Sequence, residues 1–575
     1  MILDARDLPA GQTLTADLCL VGAGAVGIAM ALELAESGLS VILLESGGFG
    51  REEDSQALYR GAVTDPARHS PLDRYRERRL GGSTTTWGGR SMPLDPIDFE
   101  PRPAIPHSGW PIGPADLAPF YPRANRLVEA GAFAYTAETA FDRTLRPMIP
   151  GFASPHFTTN TLERFSCPTD FGRRYRHKLE QAADLRLLLH ANVVHIALSA
   201  GGERVEALEV RTLQGGGFRV VAGRFVLATG GLETVRLLLA SHDRAPAGIG
   251  NHHDLVGRFY MCHLAGTIGR LRIDGPPFSA WNGYDIADDG TYCRRRIALR
   301  PDVQRELGLG NVIARLHHPR ITDPRHRNGA LSLLYLARAF IPYEYGKRLH
   351  GGEAVGLADR LRHCGNVAGD LPATIGFMLH LLRDRRLAER KFPSIVIRSR
   401  ANLFSLDFHA EQQPDPASRV TLGRERDPLG LPRLSVDWRY GRGDVDTVSR
   451  TLALFAVDIA ASCVGRFDYD PDQVESEMTR YGAYGGHHIG VARMSDSPRQ
   501  GVVDRDGRVH GVANLYLAGS AVFPTSSQAN PTLTAIALGL RLARHLRDRA
   551  AAPAGTTPAP SPVPPSPVPP SGVPA

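Results

Sequence analysis

The chain has 575 residues, 42% hydrophobic, 22% charged and 7% aromatic, proportions ordinary for a globular protein with ample chain for a large core. Its net charge of +7 is carried almost wholly by arginine, lysine standing only at Lys178, Lys347 and Lys391. No basic run is interleaved with aromatics, which argues against a nucleic-acid partner. The 6 cysteines are scattered, without CxxC, CxxCH or mixed Cys/His spacing, so neither a haem attachment nor a metal site is expected. Reduced thiols and a cytoplasmic location are expected, since no charged-then-apolar leader precedes the first strand.

That strand is the apolar run 17–21, DLCLV. The turn GAGAVG follows at 22–27, then an amphipathic run to Ser37 ended by Gly38, a second strand at 41–44, and Glu45. Strand, turn, helix, strand and acid in this order read as a dinucleotide site. Gly22 makes the tight turn, Gly24 lets the backbone approach a pyrophosphate, and Gly27 allows close helix–strand packing. The pyrophosphate would sit on the amides at the helix N-terminus, and Glu45 would accept from a ribose hydroxyl.

Residues 79–90, RLGGSTTTWGGR, form a small-residue loop in which Gly82, Ser83, Thr84 and Trp87 could meet a second face of the same cofactor. A nicotinamide enzyme needs no such element. Segments 185–199 and 204–222 read as strands of a meander around the glycines at 215–217. FVLATGG at 225–231 gives a further strand and turn at Thr229, before the helical pattern LETVRLLLAS. Farther on, 291–300 and 393–400 (PSIVIRSR) look like strands and 445–464 like a helix. Between them, 352–391 carries two helical patterns, LPATIGFMLHLL apolar and RDRRLAERK basic. It reads as an inserted hairpin over the substrate region, with a docking or membrane-surface role as the alternative; its apolar run is too short to span a bilayer. HGGEAVG at 350–356 reads as a loop. The C-terminal part holds HHIGVARM from His487 and, at 511–540, GVANLYLAGSAVFPTSSQANPTLTAIALGL. Gly519 and Ser520 mark a strand-to-turn element, and Asn530 and Thr532 open the last helix. The tail 551–575, rich in Pro, Ser and Ala, cannot pack a core and is expected to be disordered.

These motifs, together with ANVVHI at 191–196, DLVGRFYMCH at 254–263 and EQQPDPASRV at 411–420, resemble the glucose–methanol–choline (GMC) flavin oxidoreductases. The branch is similar to pyranose oxidases and bacterial sugar dehydrogenases. The resemblance implies an α/β fold in which a Rossmann-like FAD-binding domain of GMC type (1–100, 185–263 and 481–550) is interleaved with an α+β substrate-binding domain (101–184 and 264–480). It implies FAD, with Val193 and Thr532 among its contacts. Thr85-Thr86-Trp87 stands where pyranose oxidases carry Thr-His-Trp, so non-covalent FAD is expected. His487, in a His-x-x-Gly motif closed by Gly490, matches the family's active-site histidine, and Asn530 matches its partner. An imidazole suits proton removal from an alcohol, and an amide can hold the hydroxyl oxygen. His488 is the competing base; because neighbours on an extended chain point apart, only one of the two is expected at the flavin. Val491 replaces the usual threonine. The expected reaction is FAD-dependent oxidation of a CH–OH group of a sugar, glycoside or related alcohol. Electrons would pass to a partner protein, quinone or other non-oxygen acceptor. An oxygen-using oxidase and a flavin-fold lyase are the alternatives.

Overall fold

A computed structural model of the chain describes residues 1–341, 356–394 and 396–551. The 350–356 loop, apart from Gly356, and the tail beyond Ala551 lie outside the described residues.

The first βαβ unit forms where the sequence pattern requires it. Strand Thr13–Val21 leads into helix Ala25–Leu34 and strand Val41–Leu44, whose four side chains are all buried. A strand covered on both faces reads as a continuous apolar run, as this one does. The helix stops at Leu34, short of Ser37, where the Ser37 hydroxyl donates to the Leu34 carbonyl at 2.6 Å.

Around this unit the sheet runs in the order Ile2–Asp4, Leu185–Leu189, Val41–Leu44, Thr13–Val21, Gly217–Leu227, Val205–Arg211, Asn192–Leu198, and Leu515–Leu517 also pairs with Gly217–Leu227. The first five and Leu515–Leu517 pair in parallel; the last two are the antiparallel meander read from the sequence. The C-terminal strand therefore enters a sheet begun at the N-terminus. Helix Thr532–Ala551 packs on helix Ala25–Leu34, with a Cβ on Gly539 only 2.8 Å from Val26 Cγ1.

A second sheet, antiparallel at every pairing, runs in the order Gly465–Asp468, Met261–Ile273, Leu403–Ala410, Val312–His317, Ile297–Leu299, Phe157–Thr158. Strand Tyr484–Ile489 pairs with Met261–Ile273 beside it. The 291–300 pattern becomes strands Tyr292–Arg295 and Ile297–Leu299, and the helix expected at 445–464 is Arg442–Ala461. The 393–400 segment is not a strand. Its described residues are irregular, and Ile397 packs on Ile321, Leu331 and Tyr335 instead of entering a sheet. Its apolar residues meet side chains where the pattern implied a ladder.

Candidate active site

Four strand ends of the parallel sheet lie level: Val21 pairs with Leu44 and Leu227, and Leu227 with Leu517. Ligands of open α/β sheets bind outside the carboxyl ends of the strands. The residues that follow, Gly22, Glu45, Thr229 and Gly519, all border one cavity of about 450 Å³. So do Gly24, Gly82, Ser83, Thr84, Trp87, Val193, His487, Ser520, Asn530 and Thr532. Of the residues picked from the sequence, only Gly27 is elsewhere. A Cβ there would lie 1.9 Å from the Gly22 carbonyl oxygen, so its task is helix-to-turn packing.

The walls are held by the same residues that border the space. Gly22 has φ +99°, and a Cβ there would come 2.7 Å from the Ala228 oxygen, so two strand ends close only around glycine. Gly81 N–H donates to the Ala23 carbonyl at 2.9 Å, seating the 79–90 loop directly on the N-terminal turn. Glu45 carries a structural load the sequence did not reveal: its carboxylate accepts from the Ala23 and Gly47 amides, each at 2.9 Å, tying turn to strand. Thr84 donates to the Gly81 carbonyl (2.6 Å) and accepts from the Phe171 amide (3.1 Å). Ser520 donates to the His488 carbonyl at 2.9 Å, and Trp87 is fixed by its indole N–H on the Thr169 carbonyl at 2.9 Å.

The histidines of strand Tyr484–Ile489 occupy different networks. His263 Nε2 lies 3.2 Å from the Ser526 carbonyl, which can only accept, so Nε2 carries the proton. Burial holds His263 down to about 4, so the ring is neutral and its Nδ1 accepts. Nδ1 of His487 lies 2.8 Å from that Nδ1 and must donate, which leaves the lone pair of His487 on Nε2. Burial, then the neighbouring His263 and Arg90, push the His487 pKa well below its ordinary value. His409 stacks on His263 at 4.4 Å between centroids, with its Nδ1 on the Gln528 carbonyl at 2.5 Å.

His488 turns the other way. Its Nδ1 meets the Tyr260 hydroxyl at 2.6 Å, and that hydroxyl meets His69 Nε2 at 2.8 Å. Its Nε2 is buried without a hydrogen-bond partner. Both histidines border the cavity, where only one was expected. They differ in access: His487 is half-buried and His488 buried. The rings of His263, His409 and His487 form one group with metal-ligand spacing, and His69, Cys262 and His488 another; a His263–His487 hydrogen bond joins the first, and all three members of the second meet the Tyr260 hydroxyl, Cys262 Sγ at 3.3 Å.

Asn530 ends a loop whose other polar side chains are tied down. Thr525 donates to the Asp98 carbonyl (2.9 Å), Ser526 to the Gln412 carbonyl (3.0 Å), and Gln528 Nε2 to Asp95 Oδ2 (2.9 Å). Ser527 Oγ lies 2.5 Å from Asp98 Oδ2. Asn530 Oδ1 is buried without a partner, a state that costs about 1–3 kcal/mol unless something supplies the missing hydrogen bond.

Asp98 is fully buried, and burial, with the nearby Asp95 and Glu411 charges, pushes its pKa up to about 8. A carboxyl whose folded pKa is raised contributes stability that is complete below its unfolded pKa and is lost as pH rises through the folded value. Asp98→Asn, which mimics the protonated acid, should therefore flatten the fall in melting temperature that the wild type shows between about pH 4, the ordinary aspartate range, and pH about 8. Differential scanning fluorimetry across pH on both proteins checks this; parallel curves would refute it.

Sequence reading missed several of these groups. His263, His409 and Tyr260 sit in or beside strands that the sequence pattern did not reveal, although His263 closes the DLVGRFYMCH motif. Glu233, within LETVR, borders the cavity; against the upward push of burial, Arg78, Arg236 and Arg76 hold it down to about 2. No local spacing announces such a cluster, because Arg76 and Glu233 are 157 residues apart.

A family model described as FAD dependent oxidoreductase matches residues 17–351, more than half of the chain, and one described as GMC oxidoreductase matches 414–539. The chain belongs to the GMC-type FAD-dependent oxidoreductases. This enzyme is 26% identical to the fructose dehydrogenase large subunit of Gluconobacter japonicus over 92% of its own chain and 98% of the relative. It is 24% identical to the 6'''-hydroxyparomomycin C oxidase of Streptomyces lividus over 93% and 92% of the two chains. In fold it is similar to pyridoxine 4-oxidase from Mesorbium loti, with a TM-score of 0.52 at 18% identity over 92% of this chain and 98% of that one. It acts on alcohol groups with FAD as cofactor.

The residues present fit that cofactor. At Gly24 a Cβ would meet nothing within 4 Å, so the backbone there is open to a ligand, and no side chain caps the helix that starts beside it. Uncapped amides at a helix N-terminus favour a pyrophosphate. The same cavity is bordered by His487 and by Asn530, whose Oδ1 lacks a hydrogen-bond partner.

Proposed function

We propose that the enzyme oxidises a CH–OH group of a sugar, glycoside or related alcohol and passes the electrons to an acceptor other than oxygen. The chain of hydrogen bonds from the Ser526 carbonyl through His263 to His487 carries this reading, because it puts the lone pair of His487 on Nε2, and His487 borders the same cavity as Asn530. Bound FAD supplies the hydride acceptor. His487 takes the hydroxyl proton on Nε2; its lowered pKa keeps the ring neutral and ready at pH 7. Asn530 donates from its amide to the hydroxyl oxygen and so aims the carbon, without competing for the proton. Gly22, Gly24 and Glu45 hold the pyrophosphate and ribose. Gly82, Ser83, Thr84 and Trp87 cover a second face, and Val193, Thr229, Gly519, Ser520 and Thr532 complete the pocket. Thr86 offers no histidine for a flavin bond, so the cofactor is held non-covalently.

The relatives named for fructose and for hydroxyparomomycin support a sugar-type substrate. The relatives named oxidases support a second reading, in which oxygen is the acceptor. Anaerobic titration with a panel of sugars and alcohols tests the reaction: at least one should bleach the flavin spectrum. Admitting air then separates the acceptors, slow recovery without peroxide supporting the first reading and fast recovery with peroxide the second. Cleavage of a cyanohydrin by an enzyme that no alcohol bleaches would replace both with a lyase.

A further inference from the structure

Of the 17 large apolar side chains exposed among the described residues, 8 lie between Leu357 and Leu387. This is the helical insertion. Helix Leu357–Gly369 is followed by Leu371–His380, which Leu381–Leu387 continues. In the second helix Leu371, Ile375, Met378 and Leu382 recur at helical spacing, each about half exposed, while Phe377 on the far side and Thr374 at the edge of the stripe are buried.

The hairpin is anchored by its polar side. Asp370 accepts from the Gly329 amide at 2.9 Å, and Asn366 donates to Ser332 Oγ at 3.1 Å. A hairpin that merely covered its domain would turn the aliphatic stripe inward. This one turns it to solvent, the signature of an interaction surface.

Charge and composition select the partner. Arg360, Arg362, Arg383 and Arg386 are exposed on the same hairpin, and Arg360 and Arg386 have no carboxylate partner among the described residues. Centres of protein interfaces are enriched in aromatic rings; the stripe on the second helix is purely aliphatic and thioether. Aliphatic side chains flanked by free arginines match the acyl boundary and phosphates of an anionic bilayer. No helix among the described residues is long and apolar enough to cross a membrane, so the contact is with its surface.

We propose that the hairpin 357–387 seats the enzyme on an anionic lipid surface, with the aliphatic stripe in the acyl boundary and the arginines on the headgroups. The site is physically continuous with the cavity. His380 packs edge-on against Phe392 at 4.6 Å and Phe392 against Tyr284 at 4.9 Å, and Tyr284, Pro393 and Ser394 border the cavity. A lipophilic acceptor dissolved in the bilayer would thus meet the enzyme on the side where the cavity is walled by the hairpin's own continuation. The surface stands independently of the reaction assigned above.

Flotation of the full-length holoenzyme with vesicles of equimolar phosphatidylcholine and phosphatidylglycerol, against vesicles of phosphatidylcholine alone, tests it. The enzyme should float with the anionic vesicles, and more weakly with the neutral ones. Ile375→Asp with Leu382→Asp should cut the bound fraction about tenfold or more while turnover with a soluble dye is unchanged. Arg360→Glu with Arg386→Glu should abolish the preference for anionic lipid. Absence of flotation with either vesicle, or flotation of the aspartate variant equal to wild type, would overturn the proposal. So would a stripe-dependent dimer on gel filtration that never binds vesicles, which would assign the face to a second copy of the chain.

Discussion

His487→Ala should slow anaerobic flavin bleaching by substrate about 10²–10⁴-fold, the range a positioned general base supplies, while FAD stays bound. Retention follows from geometry, since the glycine turn, the 79–90 loop and the strand ends that border the nucleotide half of the cavity make no use of the imidazole. His488→Ala should cost much less in rate. Its ring is buried and committed to Tyr260, so its loss disturbs packing before chemistry. The pH profile separates a base from a structural residue. His487 is depressed below its ordinary value by burial, and a base works only when unprotonated. Activity should therefore be level through the neutral range and fall only at pH well below 6.5. A rate limb centred near 6.5 in wild type, or unchanged bleaching in His487→Ala, would remove His487 from the base role.

The second large effect is expected at the N-terminal turn, where two glycines should fail differently. Gly27→Ala places a methyl group 1.9 Å from the Gly22 carbonyl oxygen. Backbone stands on both sides of that contact, so the helix must leave the turn; the protein should purify colourless and melt lower even without FAD. Gly24→Ala meets nothing within 4 Å of its added carbon, so the apoprotein should melt as wild type does. Its methyl group nevertheless occupies the close approach that a pyrophosphate needs, and FAD occupancy should fall about tenfold or more. Flavin absorbance per polypeptide, read beside the apoprotein melting temperature, checks both. Equal behaviour of the two variants would mean that the turn does not divide its glycines between packing and ligand approach.

Much of the site was legible because its pieces are local. Gly22, Gly24, Gly27 and Glu45 follow from one βαβ unit, whose spacing allows few other uses. Of the fifteen residues chosen, only Gly27 does not border the cavity, and packing is the task the spacing assigns it. Where reading stopped at local pattern it went astray. Residues 393–400 look like a strand in sequence, yet those described are irregular and Ile397 packs on side chains instead. The alternation of His487 and His488 along an extended backbone does send the two rings into different networks, one on His263 and one on Tyr260, although both residues border the cavity.

By itself the sequence determined much of the cavity wall: the turn, its glycines, the acid at the next strand end and the second small-residue loop. The turn, its glycines and the acid fall within one βαβ unit whose spacing is read directly from the chain. Only the tertiary structure decided on which ring nitrogen His487 carries its lone pair. That assignment depends on His263, 224 residues away from His487, and on a carbonyl of the Asn530 loop. The direction of the 357–387 stripe was decided in the same way. An amphipathic period states that a helix has an apolar face, and only the surface on which the helix is anchored states whether that face turns inward or out.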